Sequence, residues 1–240
     1  MTENSDAGAR ASDLLFATLA EQVKTPFVQI AHAAELSRLN PGKKELDVLF
    51  DTISLTSQAA MKLIDGYLMS VQLQRGAYLP LEPVSLSSVL HDSMGSLKSY
   101  AAAHNCTIEL AVSGKYGPVM ARPEVVKTAI ESLGYSFIEA AGAMGKKTRL
   151  LLMVRRSPHG ITAGVFSDAG RLSSTLFKQA KILKGIARQP LGEFSAGSGA
   201  GVFVADALFD WLQSPMRVST YKKLHGLSAT MSLSKQLSLV

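Results

Sequence analysis

The chain reads as an α+β protein: a two-helix hairpin followed by an α/β sandwich built on a mixed sheet. Three observations predict this. Residues 13–38 and 44–74 repeat apolar side chains at steps of three and four, the period of a helix that buries one face. A stretch holding Gly76, Pro80 and Pro83 then breaks the pattern. Beyond it, strand-sized apolar runs alternate with helical patterns, the layout of a sheet with helices on one face.

The first helix is marked by Leu15, Leu19, Val23, Phe27, Ile30 and Ala34, with Ser12 or Asp13 as its cap. Pro26 lies inside it, where it removes a backbone donor and favours a bend. Asn40-Pro41-Gly42 makes the turn. The second helix carries Leu46, Leu49, Ile53, Ala60, Leu63, Ile64, Tyr67 and Val71. Two helices alone cannot enclose their apolar faces, and two copies forming a four-helix bundle can, so the pattern predicts a homodimer. Leu46, Ile53, Ala60, Ile64 and Val71 are expected to line its core.

After an extended connector at 76–84, a helix is expected over 86–104 and a strand over 107–112. A short extended piece follows at 118–122, then a helix from Pro123 to about 141, with proline at its first turn. Strands over 148–156 and 160–167 are joined by Ser157-Pro158-His159-Gly160, and helical potential spans 169–196. A helix over 198–213 and a hairpin of strands 217–223 and 227–233 complete the chain. The resulting division is a polar tail at 1–12, the hairpin at 13–75, the connector at 76–84 and the sandwich at 85–240.

Composition narrows the function. With 240 residues, 47% hydrophobic and 18% charged, the chain has the balance of a globular protein. Its single cysteine, Cys106, excludes an intramolecular disulfide and a cysteine-rich zinc site. No stretch reaches the roughly 18 apolar residues of a membrane span, and 1–11 lacks a signal-peptide pattern, so a soluble, cytoplasmic protein is expected. The net charge is +6, but the basic residues are scattered and only 7% of residues are aromatic, so no nucleic-acid partner is expected. His91, His104, His159 and His225 have no metal-ligand spacing, and Glu131 and Glu139 form no acid–base pair.

Two glycine clusters draw attention. Asp168-Ala169-Gly170 follows a strand directly, and Gly197-Ser198-Gly199-Ala200-Gly201 opens a helix. Glycines at a helix start let backbone N–H groups approach phosphate, which the helix dipole also favours. Neither cluster is a Walker A loop or a dinucleotide fingerprint. Between them, Arg171, Lys178, Lys181, Lys184 and Arg188 face only Glu193, and Leu172, Leu176, Leu183 and Ala187 recur at helical spacing. A basic flap hinged by glycines suits a polyphosphate.

In this order, the segments resemble the core of two-component sensor histidine kinases: a dimerisation and phosphotransfer hairpin followed by a GHKL (Bergerat-type) ATPase domain. Asp168-Ala169-Gly170 is similar to the family's D-x-G-x-G, whose aspartate reads the adenine amino group. Gly197 to Val202 is similar to G-T-G-L-G-L of the nucleotide lid, and Gly226, expected just before the last strand, to the glycine of the final G-T box. Leu63-Ile64-Asp65-Gly66-Tyr67-Leu68 through Pro83-Val84-Ser85-Leu86 resembles the second helix and connector. The resemblance implies ATP or ADP bound by Ser132, Ser136, Asp168, Gly170, Gly197, Ser198, Gly199 and Gly201. It also implies a response regulator's receiver domain, or another histidine kinase, as partner.

The departures fall on the chemistry. The phosphoacceptor box, approximately S-H-E-L-R-T-P-L, is matched by Ala20-Glu21-Gln22-Val23-Lys24-Thr25-Pro26-Phe27, so Glu21 stands in the histidine's place and cannot form phosphohistidine. His32, eleven residues on, is about three turns away. The N box N-L-x-x-N-A-x becomes Ser132-Leu133-Gly134-Tyr135-Ser136-Phe137-Ile138. Ser136 then replaces the magnesium-binding asparagine, and a hydroxyl is a poorer ligand than a fixed carbonyl. Leu172 replaces the last glycine of D-x-G-x-G, and Phe137 and Phe203 are expected to fill part of the nucleotide face. Thr25 keeps the place of the family's phosphatase threonine.

Three functions follow. One is a degenerate histidine kinase acting as a dimeric signalling adaptor with weak, vestigial nucleotide binding. Another is an active kinase working in trans on a partner. The third is an interaction scaffold without nucleotide.

Overall fold

A computed structural model describes residues 2–39, 42–143, 145–170, 172–183 and 199–234. Helix α1 spans Thr2–Ser37 and α2 spans Lys43–Gln74, packed against each other as a hairpin. The start of α1 corrects the expected cap at Ser12 or Asp13. The helix runs back to Thr2, so both residues lie inside it. Pro26 is internal to α1, as expected. At the turn, the Gly42 N–H donates to the Glu45 carboxylate at 3.0 Å, one half of a capping box. Helix α2 ends at Gly76, whose φ of +89° is left-handed. Ala77 N–H donates to the Gln72 carbonyl and Gly76 N–H to Leu73, both at 3.1 Å, satisfying carbonyls the last turn leaves open.

The connector does more than link. Its residues Glu82–Val84 form β1, paired antiparallel with β3 (Val119–Ala121). Between them lie α3 (Leu86–Ala103), capped by the Ser85 hydroxyl, and β2 (Cys106–Ser113). Helix α4 (Pro123–Ala143) precedes the hairpin of β4 (Thr148–Ser157) and β5 (Gly160–Ser167). Helix α5 (Ser174–Leu183) is the described part of the basic flap, and α6 (Ala200–Trp211) follows. Strands β6 (Arg217–Tyr221) and β7 (Leu224–Met231) close the fold.

The five-stranded sheet runs β2-β4-β5-β7-β6. Only β2 and β4 are parallel, and the connection between them carries α4. Leu150, Leu152 and Val154 of β4, with Val165, Ala163 and Ile161 of β5, face the main core with residues of α3, α4 and α6. The other face holds a smaller cluster of Leu151, Met153, Phe166 and Leu224. Tyr221, on one edge strand, hydrogen-bonds Ser113 on the opposite edge strand at 3.0 Å. The sheet is therefore curled around that cluster.

The last hairpin turns at Lys222 and Lys223, earlier than expected, with left-handed φ of 46° and 67°. This moves Gly226 inside β7, opposite Phe166 and Ser219, rather than before the strand. A side chain there would strike the Val165 carbonyl oxygen, so packing explains the glycine.

Candidate functional site

Ser132 and Ser136, which the resemblance places in the N box, lie on α4 four residues apart and share one face. Both are closed off, with 3% and 2% of their surface exposed. Gly201, in the first turn of α6, is what closes them. A Cβ there would collide with the Ser136 hydroxyl and the Ser132 carbonyl. The second glycine cluster therefore does bring backbone close to the N-box residues, but the backbone rests on the serines themselves. Gly199 is the N-cap of α6, and its carbonyl accepts from Phe203 N–H at 3.2 Å. Gly197 and Ser198 lie outside the described residues, as does most of the flap beyond Leu183.

The hairpin reaches the same place. Gly66 of α2 sits so near the sandwich that a Cβ would meet Val204 at 3.0 Å, Ser132 Oγ at 3.1 Å and Thr128 at 3.2 Å. Lys62, one turn earlier on α2, lies 3.8 Å from the buried carboxylate of Glu131, and Lys127 lies 3.9 Å from it. The sequence gives Gly66 only as part of the second-helix resemblance and Glu131 only as a carboxylate without an acid–base partner, and neither as a point where the hairpin meets the sandwich. A glycine inside a long helix costs about 1 kcal/mol relative to alanine and was the available signal of a close crossing.

Asp168 remains exposed. Its Oδ1 accepts from the Arg149 backbone N–H at 2.9 Å, tying the end of β5 to β4. Burial pushes the Cys106 thiol up, and the nearby Asp168 charge adds to this. Gly170 is half-buried beside it. Leu172, which the resemblance places at the last glycine of D-x-G-x-G, is buried in the main core.

Phe137 is fully buried in the main core rather than on the nucleotide face, because it projects from a different side of α4 than Ser136. Phe203 packs with Ala180 and Tyr67. It lines a cleft of about 330 Å³ with Gln74, Lys181, Asp206, Ala207, Asp210 and Trp211. Lys181 spans this cleft, 2.7 Å from Asp206 and 3.7 Å from Asp210, and so ties α5 to α6.

On the hairpin, Thr25 is exposed and Pro26 half-buried. Glu21 lies on α1, and its side chain is outside the description. Phe27 and Val28, immediately after, are 60% and 67% exposed. Leu39, Val48, Phe50, Met61 and Leu68 are likewise exposed. Of the residues expected in a bundle core, Ala60 is buried within one chain, while Leu46, Ile53, Ile64 and Val71 are half-buried.

A magnesium ion needs open oxygen ligands. Among the described residues no group of three His, Cys, Asp or Glu side chains is placed to hold a metal. Ser136, the expected ligand, is covered by Gly201 and does not fit that role.

A helical hairpin joined to an α/β sandwich with a mixed sheet defines the architecture. No family model matches the sequence, and no curated protein matches it. Solved structures do match. Acinetobacter baumannii histidine kinase AdeS aligns over 88% of this chain and 96% of its own, with TM-score 0.53 and 12% identity. Histidine kinase ThkA, in complex with the response regulator protein TrrA, aligns over 91% of this chain and 61% of its own, with TM-score 0.58 and 11% identity. Full-length ShkA in complex with AMPPNP aligns over 92% of this chain and 46% of its own, with TM-score 0.55 and 13% identity. The chain has the fold of a histidine kinase core. No described helix is long and apolar enough to cross a membrane.

Proposed function

We propose that this chain is a degenerate histidine kinase: a dimeric two-component adaptor that docks a response regulator's receiver domain and carries out no kinase step. The observation that carries this reading is the contact of Gly201 with Ser132 and Ser136. Phosphoryl transfer depends on metal ions that neutralise charge on the phosphates. In this chain the expected metal ligand is a buried hydroxyl under backbone, and glutamate holds the acceptor position. Asp168 is exposed and able to accept from an adenine amino group, which supports weak, magnesium-independent nucleotide binding.

The hairpin supports the adaptor role. Its exposed apolar side chains call for a second copy to cover them. ThkA, which shares the fold, was solved with a response regulator bound, and this supports the kind of partner.

The test is incubation of the full chain with radiolabelled ATP and magnesium, beside thermal melts with ATP or ADP, with and without magnesium. The expected result is no acid-labile, base-stable label and a small melting shift that is the same with and without the metal. Asp168→Asn removes the shift. Histidine-type label on the wild-type chain, or a shift that requires magnesium, overturns the reading.

A further inference from the structure

Basic residues that are scattered along the sequence are gathered by the curl of the sheet. Tyr221 is fixed over the back face by its hydrogen bond to Ser113 and by contact with Phe166, ring centroids 6.0 Å apart. Two cations share its ring. Lys222 Nζ lies 5.5 Å from the centroid and Arg155 Cζ lies 6.0 Å from it. Lys222 comes from the β6–β7 turn and Arg155 from the far part of β4, opposite Ser113. Lys223 continues the turn, and Lys115 lies two residues beyond Ser113, whereas Arg156 points to the opposite face of the sheet. Arg155, Lys222, Lys223 and Lys115 are all exposed.

None of these four makes an ion pair among the described residues. The carboxylate of β2, Glu109, is taken by Arg149 at 2.7 Å. Sharing one aromatic ring eases the repulsion of two cations but supplies no counter-charge. The turn adds a second, independent observation. Lys222 and Lys223 both hold left-handed φ, in a hairpin position that favours Asn-Gly. Stability alone favours other residues at both positions, and strained backbone of this kind concentrates where a surface is used.

We propose that this platform binds the phosphate backbone of a nucleic acid without reading its sequence. Exposed cations brought together from three segments, with no ion-pair partner among the described residues, suit a polyanion that carries one charge per phosphate, and the Arg155 guanidinium matches phosphate oxygens. This surface is separate from the hairpin and from the Ser132–Gly201 contact, so it stands or falls apart from the adaptor reading.

The experiment is fluorescence anisotropy of the full chain with a labelled, random-sequence DNA duplex, repeated over a salt series. Binding is expected to weaken linearly with the logarithm of salt. Replacing Arg155, Lys222 and Lys223 together by alanine is expected to weaken it at least about ten-fold and to lower the salt slope by about three, one per lost phosphate contact. Removing the same charge at exposed Lys43, Lys44 and Lys98 is expected to leave affinity within about two-fold. The pair Lys222→Asn with Lys223→Gly relieves the turn, so it is expected to raise the melting temperature while weakening binding, which separates function from folding. Three results overturn the proposal: no binding at the lowest salt, equal losses in the platform and control variants, or tighter binding of poly-glutamate than of DNA. The last would assign the platform to an acidic protein instead.

Discussion

Replacing Gly201 by alanine tests the contact that closes the candidate site. In the first turn of α6, alanine for glycine improves helix propensity by about 1 kcal/mol. Against this, the new Cβ runs into the Ser136 hydroxyl and the Ser132 carbonyl. The hydroxyl can rotate away, but the carbonyl belongs to the α4 backbone and cannot. Overpacking of a well-filled core costs about 1–3 kcal/mol, and a contact against backbone belongs at or beyond the upper end. The net loss is then about 2 kcal/mol, or about 4–8 °C in melting temperature for a chain of this size. Gly66→Ala is the matched control. Its nearest neighbours, at 3.0–3.2 Å, are side-chain atoms of Val204, Ser132 and Thr128, which can give by a few tenths of an ångström. The propensity gain then offsets the crowding, and the melt stays within about 1 °C of wild type. Urea or thermal unfolding followed by circular dichroism reads both variants. If Gly201→Ala melts as wild type does, α6 does not rest on the α4 serines and the site is open.

Light scattering at micromolar concentration is expected to give a dimer, and Phe27→Ser with Val28→Ser to shift it toward monomer. A folded wild-type monomer would remove the bundle. Burial pushes the Tyr135 hydroxyl up to about 12, with the Glu131 charge adding to the effect, so the folded state keeps a proton that the unfolded chain releases near 10. The stability this proton contributes is complete below pH 10 and is lost as pH rises toward 12, and Tyr135→Phe is expected to flatten that part of an alkaline unfolding profile. Tyr100, pushed further up by burial and by Glu139, adds a loss at still higher pH that this variant leaves in place. Glu21→His alone is expected to give no autophosphorylation. Thr25→Ala is expected to slow any dephosphorylation of a docked receiver domain, and equal decay with wild type, variant and no protein would end the phosphatase idea.

Most of the architecture was legible because its signals are local. Apolar periodicity placed every helix of the sandwich, and Pro123 marked the start of α4 correctly. Where the boundaries slipped, the deciding physics was less visible in pattern. Residues before Ser12 are polar enough to read as a tail, yet α1 extends through them. The turn at Lys222–Lys223 carries no Gly or Asn signal, so the sequence places Gly226 before the last strand, whereas it lies inside β7 where a side chain would strike β5.

The candidate site was legible in composition but not in consequence. The resemblance groups Ser132, Ser136 and Gly201 around a nucleotide, but sequence does not show whether a ligand or bare contact lies between them. That depends on how closely α6 approaches α4, and the distance is set by residues with almost no side chain. The same holds for Gly66, where the hairpin meets the sandwich. In a working kinase core, a serine in place of an asparagine removes one ligand from a pocket. On the proposed degenerate-kinase reading, Ser132 and Ser136 are small enough for backbone to rest on them, and that contact takes up the space a metal ligand would need. A restored asparagine at 136 would then have to displace α6 before it met a metal, and Ser136→Asn is expected to destabilise the fold rather than to restore magnesium-dependent binding. A melt of that variant with and without the metal distinguishes the two. A rise that needs magnesium would show the pocket is intact, and a uniform fall would show that it is filled.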